Sequence, residues 1–124
     1  MRLLLDSNAF LWWRNGSRRL PARAAAEIRN PDNEVVVSIA TLWEIAIKRG
    51  LGKLRFVEDF QEVMRDETFG LLPISYDHLR ASEELSRHHR DPFDRLLIAQ
   101  ALSEGIPIAT GDRVFAAYGV QVVW

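Results

Sequence analysis

Residues 34–50 read EVVVSIATLWEIAIKRG, and this stretch decides the fold. Glu34–Ser38 is a short, valine-rich run without polar alternation, which is typical of a strand covered on both faces. From Ile39 to Arg49 the apolar residues recur at the three- and four-residue spacing of an amphipathic helix, and Gly50 is the predicted stop. A buried strand that leads directly into a helix predicts a strand–helix–strand unit and therefore a parallel sheet.

The rest of the chain repeats this alternation. Further buried strands are predicted at Arg2–Leu5, Leu71–Ile74, Pro107–Ala109 and Val120–Val123. Helices are predicted at Asn8–Arg14, Pro21–Arg29, Val57–Arg65, His78–Ser86 and Pro92–Glu104, with Gly105 as the stop of the last one and a final turn at Arg113–Ala117. The pattern predicts an α/β fold with a central five-stranded, mostly parallel sheet and helices on both faces. Ligands bind such sheets beyond the carboxyl ends of the strands, so we look for chemistry at that edge.

Length and composition exclude several classes of protein. A chain of 124 residues predicts a single domain over residues 1–124. The absence of cysteine excludes disulfides, thiolate zinc sites and cysteine nucleophiles. The net charge of -1 gives no overall basic signature. The first residues, MRLLLD, are too short an apolar run for a signal peptide, and no stretch approaches the roughly 20 apolar residues of a membrane span, so we expect a soluble, cytoplasmic protein.

Five acidic residues lie where the predicted strands end. Asp6 directly follows the first strand, and Asp112 follows the fourth. Glu44 lies in the helix after the second strand, and Asp91 and Asp94 open the long helix before the fourth. Because the carboxyl ends of parallel strands meet at one edge, we expect most of these acids to converge. Clustered like charges are costly unless a cation lies among them, and carboxylate oxygens suit Mg²⁺ or Mn²⁺.

Each acid also has a purely structural interpretation. Asp6 and Asp112 stand where an N-cap is expected, and Asp91–Asp94, which reads DPFD, is a nearly ideal helix start. Thr41 and Glu44 match a capping box, although a helix that starts directly after the second strand puts Glu44 inside it, beside an apolar face. For any single acid the spacing leaves capping and metal binding open, and the convergence of the set favours a metal site.

Four blocks of the chain resemble the successive blocks of PIN domains, and more narrowly those of bacterial VapC-type toxins. They are LLLDSNAFLWW at residues 3–13, VSIATLWEIAIKRGLGKL at 37–54, HRDPFDRLLIAQA at 89–101 and TGD at 110–112. Their order and spacing agree with the family along the whole chain. One departure is that the first block usually has threonine where this chain has Ser7, which keeps the hydroxyl.

The resemblance implies a site and a cofactor. PIN domains place four acids around one or two divalent ions, here Mg²⁺ or Mn²⁺, and cut RNA. The positions that match the catalytic acids are Asp6, Glu44, Asp94 and Asp112. Of these, Asp6, Asp94 and Asp112 are the expected metal ligands, Asn8 and Thr110 match supporting polar positions, and Asp91 belongs to a subgroup pattern. In the family's strand order, 3-2-1-4-5, the order reverses between the strands that end in Asp6 and Asp112. Parallel sheets bind ligands beyond the carboxyl ends of the strands at such a point, so the two arguments indicate the same place.

The resemblance also implies partners: an RNA substrate, a cognate antitoxin protein and a second copy of the chain. The basic residues selected as RNA contacts are Lys48, Arg49, Arg90 and Arg95. Trp12 and Trp13 are adjacent on the first helix, so both cannot easily face the core. An exposed tryptophan there would indicate a protein interface.

Two other functions remain open. One is an aspartyl-phosphate phosphatase or receiver-like domain with Asp6 as nucleophile, which usually needs a lysine late in the chain, where this sequence has only Thr110-Gly111-Asp112. The other is a non-enzymatic binding module that has lost its metal site. No histidine lies in a block that implies a Ser–His–Asp triad: His78 is expected at a helix start, and His88 and His89 in solvent.

Overall fold

The computed structural model describes all 124 residues and contains one five-stranded sheet. Its strands are β1 (Arg2–Leu5), β2 (Glu34–Ser38), β3 (Gly70–Leu72), β4 (Ile108–Ala109) and β5 (Val122–Val123). Their order is β3-β2-β1-β4-β5, and every neighbouring pair is parallel. The predicted α/β fold and strand order are confirmed, and the sheet is parallel throughout.

Six α-helices and one 3-10 helix connect the strands. They are α1 (Ser7–Asn15), α2 (Ala22–Arg29), α3 (Ile39–Gly50), α4 (Phe60–Glu67), α5 (Tyr76–Glu84), α6 (Pro92–Glu104) and the 3-10 helix Arg113–Tyr118. Helix α6 begins and ends as predicted, because Asp91 caps its first turn and Gly105 ends it in the left-handed conformation (φ 66°). None of the helices has the length and apolar character that crossing a bilayer requires.

Several helix boundaries differ from the predicted ones by one to three residues, and three of these differences have a clear local cause. Gly50 does not end α3 but is its last residue, and the left-handed turn is made two residues later by Gly52 (φ 71°). Helix α4 begins at Phe60, because the Asp59 carboxylate accepts from the main-chain N–H of Glu62. Helix α5 begins before His78, because the predicted starting residue is the third residue of a capping box.

Helices cover both faces of the sheet, and the alternation along β1 shows how. Leu3 and Leu5 point into a core cluster on the side of α1, α2, α3 and α4. Leu4 points into a second cluster with α6 and the 3-10 helix. All three leucines have no exposed surface, as expected for a strand in a doubly covered parallel sheet. Helices α1, α3 and α5 and the 3-10 helix each follow a strand along the chain, so their N-termini gather at the carboxyl edge of the sheet.

The tryptophan expected to be exposed on α1 is not found there. Trp12 and Trp13 are both half-buried and pack against the core cluster, and the Trp13 ring Nε1 donates to Glu67 at 2.9 Å. The largely exposed tryptophan is instead Trp43 on α3, with 58% of its surface accessible. The expectation of an exposed tryptophan on α1 was therefore wrong, and an interface at Trp12 and Trp13 stays a prediction.

Candidate active site

A cleft of about 620 Å³ opens at the carboxyl edge of the sheet. Its lining residues are Asp6, Ser7, Asn8, Trp12, Arg19, Glu44, Lys48, Asp91, Asp94, Gly111, Asp112 and Trp124. The set contains all five acids that the sequence places at strand ends. Asp6 and Asp112 follow neighbouring parallel strands directly, Glu44 lies in the second turn of the helix after β2, and Asp91 and Asp94 reach the same edge at the start of α6.

Asp6 is buried at the junction between β1 and α1. Its Oδ1 accepts from the Ala9 main-chain N–H at 2.8 Å, which makes it the N-cap of α1. Burial raises the pKa of Asp6 to about 6, against the opposing hydrogen bonds from Ala9 and the Thr110 hydroxyl, and the charges of Asp112 and Glu44 raise it further. Thr110 is itself buried and its Oγ1 accepts from the Asp112 N–H at 3.0 Å. It therefore links two of the acids.

Glu44 is buried on α3, and both of its oxygens have partners. The Ser7 hydroxyl donates to Oε1 at 2.5 Å, and Lys48 Nζ lies 3.0 Å from Oε2, one helical turn away. The helix starts at the N-cap Ser38, so Glu44 is not part of a capping box with Thr41. Ser7 was noted in the sequence only for its hydroxyl, and the structure gives that hydroxyl the role of orienting Glu44.

Asp91 and Asp94 have different surroundings. Asp91 Oδ1 accepts from the N–H groups of Phe93 (2.8 Å) and Asp94 (3.1 Å), so it is the N-cap of α6. The Asp94 carboxylate makes no such bond and faces the cleft. Burial is the main cause that raises the pKa of Asp94 to about 7, followed by the charge of Asp91, while His89 lowers it and Glu44 and Asp6 raise it. Asp94 is thus the acid most in need of a counter-charge.

His89 is part of this cluster, and the expectation that it lies in solvent was wrong. Its Nε2 lies 2.8 Å from Asp112 Oδ2 and 3.2 Å from Asp94 Oδ2. Its Nδ1 accepts from the Asp91 main-chain N–H at 3.1 Å. Because Nδ1 is an acceptor, the ring proton is on Nε2, where it points between the two carboxylates. Ligand atoms of His89, Asp94 and Asp112 lie within 4.8 Å of one another.

Hydrogen bonds with Arg95 and Tyr118 hold the loop that carries His89. Arg95 donates to main-chain carbonyls of the loop and of the end of α5, including those of Ser86 and His89 at 2.9 and 3.3 Å. The Tyr118 hydroxyl accepts from the His89 N–H at 2.7 Å and donates to the Ser86 carbonyl at 2.9 Å. These bonds depend on long-range folding. The one local signal for His89 was its position two residues before a predicted N-cap.

The four basic residues selected as RNA contacts fall into two groups. Arg95 holds the His89 loop, and Arg49 donates to the carbonyls of Phe56 and Glu58 at 2.8 and 3.0 Å. Both guanidinium groups are therefore used inside the fold, and their contact with RNA stays a prediction. Lys48 lines the cleft and is half-exposed, and Arg90 is exposed in the chain segment before α6. Asn8 is exposed and also lines the cleft.

The donor set fits a hard divalent cation. Oxygen ligands from several carboxylates with no thiolate suit Mg²⁺ or Mn²⁺. The raised pKa values of Asp6 and Asp94 have the same main cause, since both carboxylates are buried and lie near other negative charges. The N–H of His89 supplies a partial positive charge between Asp94 and Asp112, where a cation would be favourable.

Comparisons with known proteins agree with this arrangement. The family model of the PIN domain matches residues 3–121. Ribonuclease VapC22 of Mycobacterium tuberculosis is 30% identical over 118 residues, which cover 90% of this chain and 87% of that protein.

Solved structures show the same fold. The chain is similar to one in the crystal structure of VapBC2 from Rickettsia felis bound to a DNA fragment from their promoter, with a TM-score of 0.68, 18% identity and coverage of 98% of this chain and 97% of that one. It is also similar to one in a toxin–antitoxin complex from Klebsiella pneumoniae, with a TM-score of 0.66, 23% identity and coverage of 98% and 96%.

Proposed function

Because the chain belongs to the PIN-domain family, we propose that it is an endoribonuclease that needs Mg²⁺ or Mn²⁺ to hydrolyse RNA phosphodiester bonds. The observation that carries the proposal is the meeting of Asp6, Glu44, Asp94 and Asp112 in one cleft at the carboxyl edge of the sheet. A single PIN domain over residues 1–124 accounts for the whole chain.

The side chains of the cleft have different roles in the proposed reaction. Asp6, Asp94 and Asp112 would hold the ion. When bound, a divalent ion makes a water molecule more acidic and offsets the negative charge that develops on the phosphate. Glu44 is oriented by Ser7 and Lys48 and accepts the proton that the attacking water loses. Thr110 hydrogen-bonds to both Asp6 and Asp112 and thereby fixes their positions relative to each other.

Cleavage of total RNA by the purified chain, with mapping of the new 5′ ends, tests the activity. We expect cleavage with Mg²⁺ or Mn²⁺, none with EDTA, and a loss of several orders of magnitude in Asp6→Asn, which keeps an oxygen for the Ala9 N–H. Equal cleavage in EDTA would rule out the metal-dependent mechanism.

The alternative of an aspartyl-phosphate phosphatase has less support. No lysine follows β4, where Thr110, Gly111 and Asp112 stand. The binding-module alternative predicts no cleavage under any metal condition, so the same assay separates it from the nuclease.

We further propose that the protein is the cytoplasmic toxin of a toxin–antitoxin pair and is inhibited by its cognate antitoxin. The support is the similarity to a ribonuclease of the VapC type and the fold shared with VapBC complexes. Induced expression without an antitoxin should arrest growth, and expression of Asp94→Asn should not. Arrest by both proteins would separate toxicity from the acid cluster.

The proposed second copy has a candidate surface on α3. Ile39, Trp43 and Ile47 follow one another at four-residue spacing and are 38%, 58% and 38% exposed. Trp43 also contacts Phe93 edge-on, with ring centroids 5.3 Å apart. An exposed apolar stripe of this kind is typical of an interface. Light scattering at micromolar concentration should give a dimer for the parent protein and a monomer for Trp43→Glu. A monomeric parent would contradict the proposal.

A further inference from the structure

The cleft has an aromatic wall beside its acids, formed by Trp12 on α1 and Trp124 after β5. These two are the apolar side chains in an otherwise polar lining. Their ring centroids lie 6.0 Å apart with the planes tilted by 43°. A Cβ atom at Gly111 would lie 2.9 Å from the Trp124 ring, so the indole lies against bare main chain directly before Asp112. The wall is therefore next to the acid cluster.

Core packing explains only part of the wall. Both indoles are half-buried and contact the core cluster of α1 and β5, which holds them in place. The rest of each ring lines a cleft whose other side chains are acids, hydroxyls, amides and cations. Neither metal binding nor hydrolysis needs an apolar surface there. A flat, fixed apolar surface is instead what a planar ligand needs for stacking.

A cation without an acidic partner lies next to the wall. The Arg19 guanidinium carbon lies 5.8 Å from the centroid of the Trp12 ring, and the side chain is exposed. Arg19 makes no ion pair, whereas Lys48, the other basic residue of the lining, pairs with Glu44. An unpaired guanidinium beside an indole offers a phosphate contact adjacent to a stacking surface.

We propose that Trp12 and Trp124 bind an unpaired RNA base next to the scissile phosphate, and that Arg19 binds a flanking phosphate. The inference rests on the proposed nuclease function and adds to it a base-stacking subsite, which needs a base that is free to leave its neighbours and stack on protein, as in a single strand or a loop. A paired base in an A-form helix is already stacked on both sides, so duplex RNA is a poor ligand for this wall.

Binding of defined RNA probes tests the wall. All proteins carry Asp94→Asn so that the RNA is not cut, and Mg²⁺ is present throughout. One probe is a short single-stranded oligoadenylate, and the other is the same chain with abasic ribose at every position. Leucine replaces Trp12 or Trp124, because it keeps apolar volume against the core but offers no ring for stacking. The matched control is Trp13→Leu, whose ring points towards Glu67.

We expect Trp12→Leu and Trp124→Leu to weaken oligoadenylate binding by about 5- to 150-fold, as is usual for one lost stacking contact. Binding of the abasic chain should be unchanged, and Trp13→Leu should bind both probes like the parent. Duplex RNA of the same length should bind more weakly than oligoadenylate to the parent. If Trp12→Leu does not fold, the comparison of the two probes is made with Trp124→Leu alone.

Two results overturn the proposal. Equal weakening for the oligoadenylate and the abasic chain would mean that the indoles only shape the cleft. Undiminished oligoadenylate binding would mean that the two indoles contact no base, for instance because they bind a protein partner instead. These results differ from failure of the nuclease proposal itself, in which the protein with an intact Asp94 cleaves no RNA with either metal.

Discussion

Replacing Asp94 by asparagine should stabilise the metal-free protein at alkaline pH, which is the reverse of what removing a first-turn acid usually does. Burial and the charge of Asp91 raise the pKa of Asp94 from 3.8 to about 7, with His89 opposing and Glu44 and Asp6 adding to the rise. Between about pH 4 and 7 the folded chain keeps a proton that the unfolded chain has released. Stability must therefore fall as pH rises through this window, since the folded state binds more protons than the unfolded state.

The size of the effect follows from the same values. At about 1.4 kcal/mol for each pH unit, ionised Asp94 costs the folded state at most about 4 kcal/mol above pH 7. The side chain is 27% exposed, so solvent screens part of this cost, and we expect about 1–2 kcal/mol. The Asp94→Asn variant avoids the cost, so its advantage over the parent should be small near pH 4 and reach its full value above pH 7.

Urea unfolding in EDTA between pH 4 and 8, repeated with Mn²⁺, measures both effects. The parent should gain about 2.7 kcal/mol at a hundredfold excess of Mn²⁺ over its dissociation constant, and Asp94→Asn should gain much less. The matched control is Asp91→Asn, which keeps the cap of α6 and should keep most of the Mn²⁺ response. Asp91→Ala should instead lose about 0.5–2 kcal/mol with the cap. A destabilised Asp94→Asn with a full metal response, or an Asp91→Asn with none, would show that the two aspartates have the opposite roles.

Three further outcomes are expected. His89→Ala should lower the melting temperature in EDTA at pH 8, because it removes the N–H donor between Asp94 and Asp112. The increase in melting temperature that Mn²⁺ produces should not become smaller. A smaller increase would mean that His89 is a metal ligand. Gly111→Ala should displace the Trp124 indole and weaken oligoadenylate binding, measured by fluorescence anisotropy, because the added Cβ lies 2.9 Å from the ring; unchanged affinity would mean that the indole moves freely. Asp112→Asn should keep the cap of the 3-10 helix and therefore the stability of the protein. The rate of metal-dependent RNA cleavage should fall by orders of magnitude. Near-parental activity would mean that Asp112 is not a catalytic acid.

The sequence predicts the fold well where the strand and helix signals are local and strong. The βα unit at residues 34–50 and the helix Pro92–Glu104 are found almost as predicted, because valine runs, helical spacing and DPFD are all short-range patterns. The errors are at weaker signals. The helix Val57–Arg65 was predicted to begin too early, because Val57 is 93% exposed and lies in the segment before Asp59, which caps α4.

The site was predictable for the acids and not for the groups that orient them. Parallel topology alone brings Asp6 and Asp112 to one edge, because their strands are neighbours in the sheet. The position of His89 depends on a loop held by Arg95 and Tyr118, and the latter contact joins residues 29 positions apart in the chain. No spacing rule encodes such a loop. Trp124 reaches the cleft for a similar reason, since β5 must first pair with β4.

Capping does not exclude metal binding for these acids, although the sequence presents the two roles as alternatives. A carboxylate has two oxygens, and in Asp112 one accepts from the Val114 N–H at 2.9 Å while the other faces His89 and the cleft. In Asp6 one oxygen accepts from the Ala9 N–H, and the carboxylate likewise lines the cleft. The cap fixes the rotamer of the side chain, so the carboxylate is already oriented towards the cleft. Since a parallel sheet gathers the helix N-termini at the edge where ligands bind, the positions that need a capping acid are also the positions from which an acid can reach a shared cation.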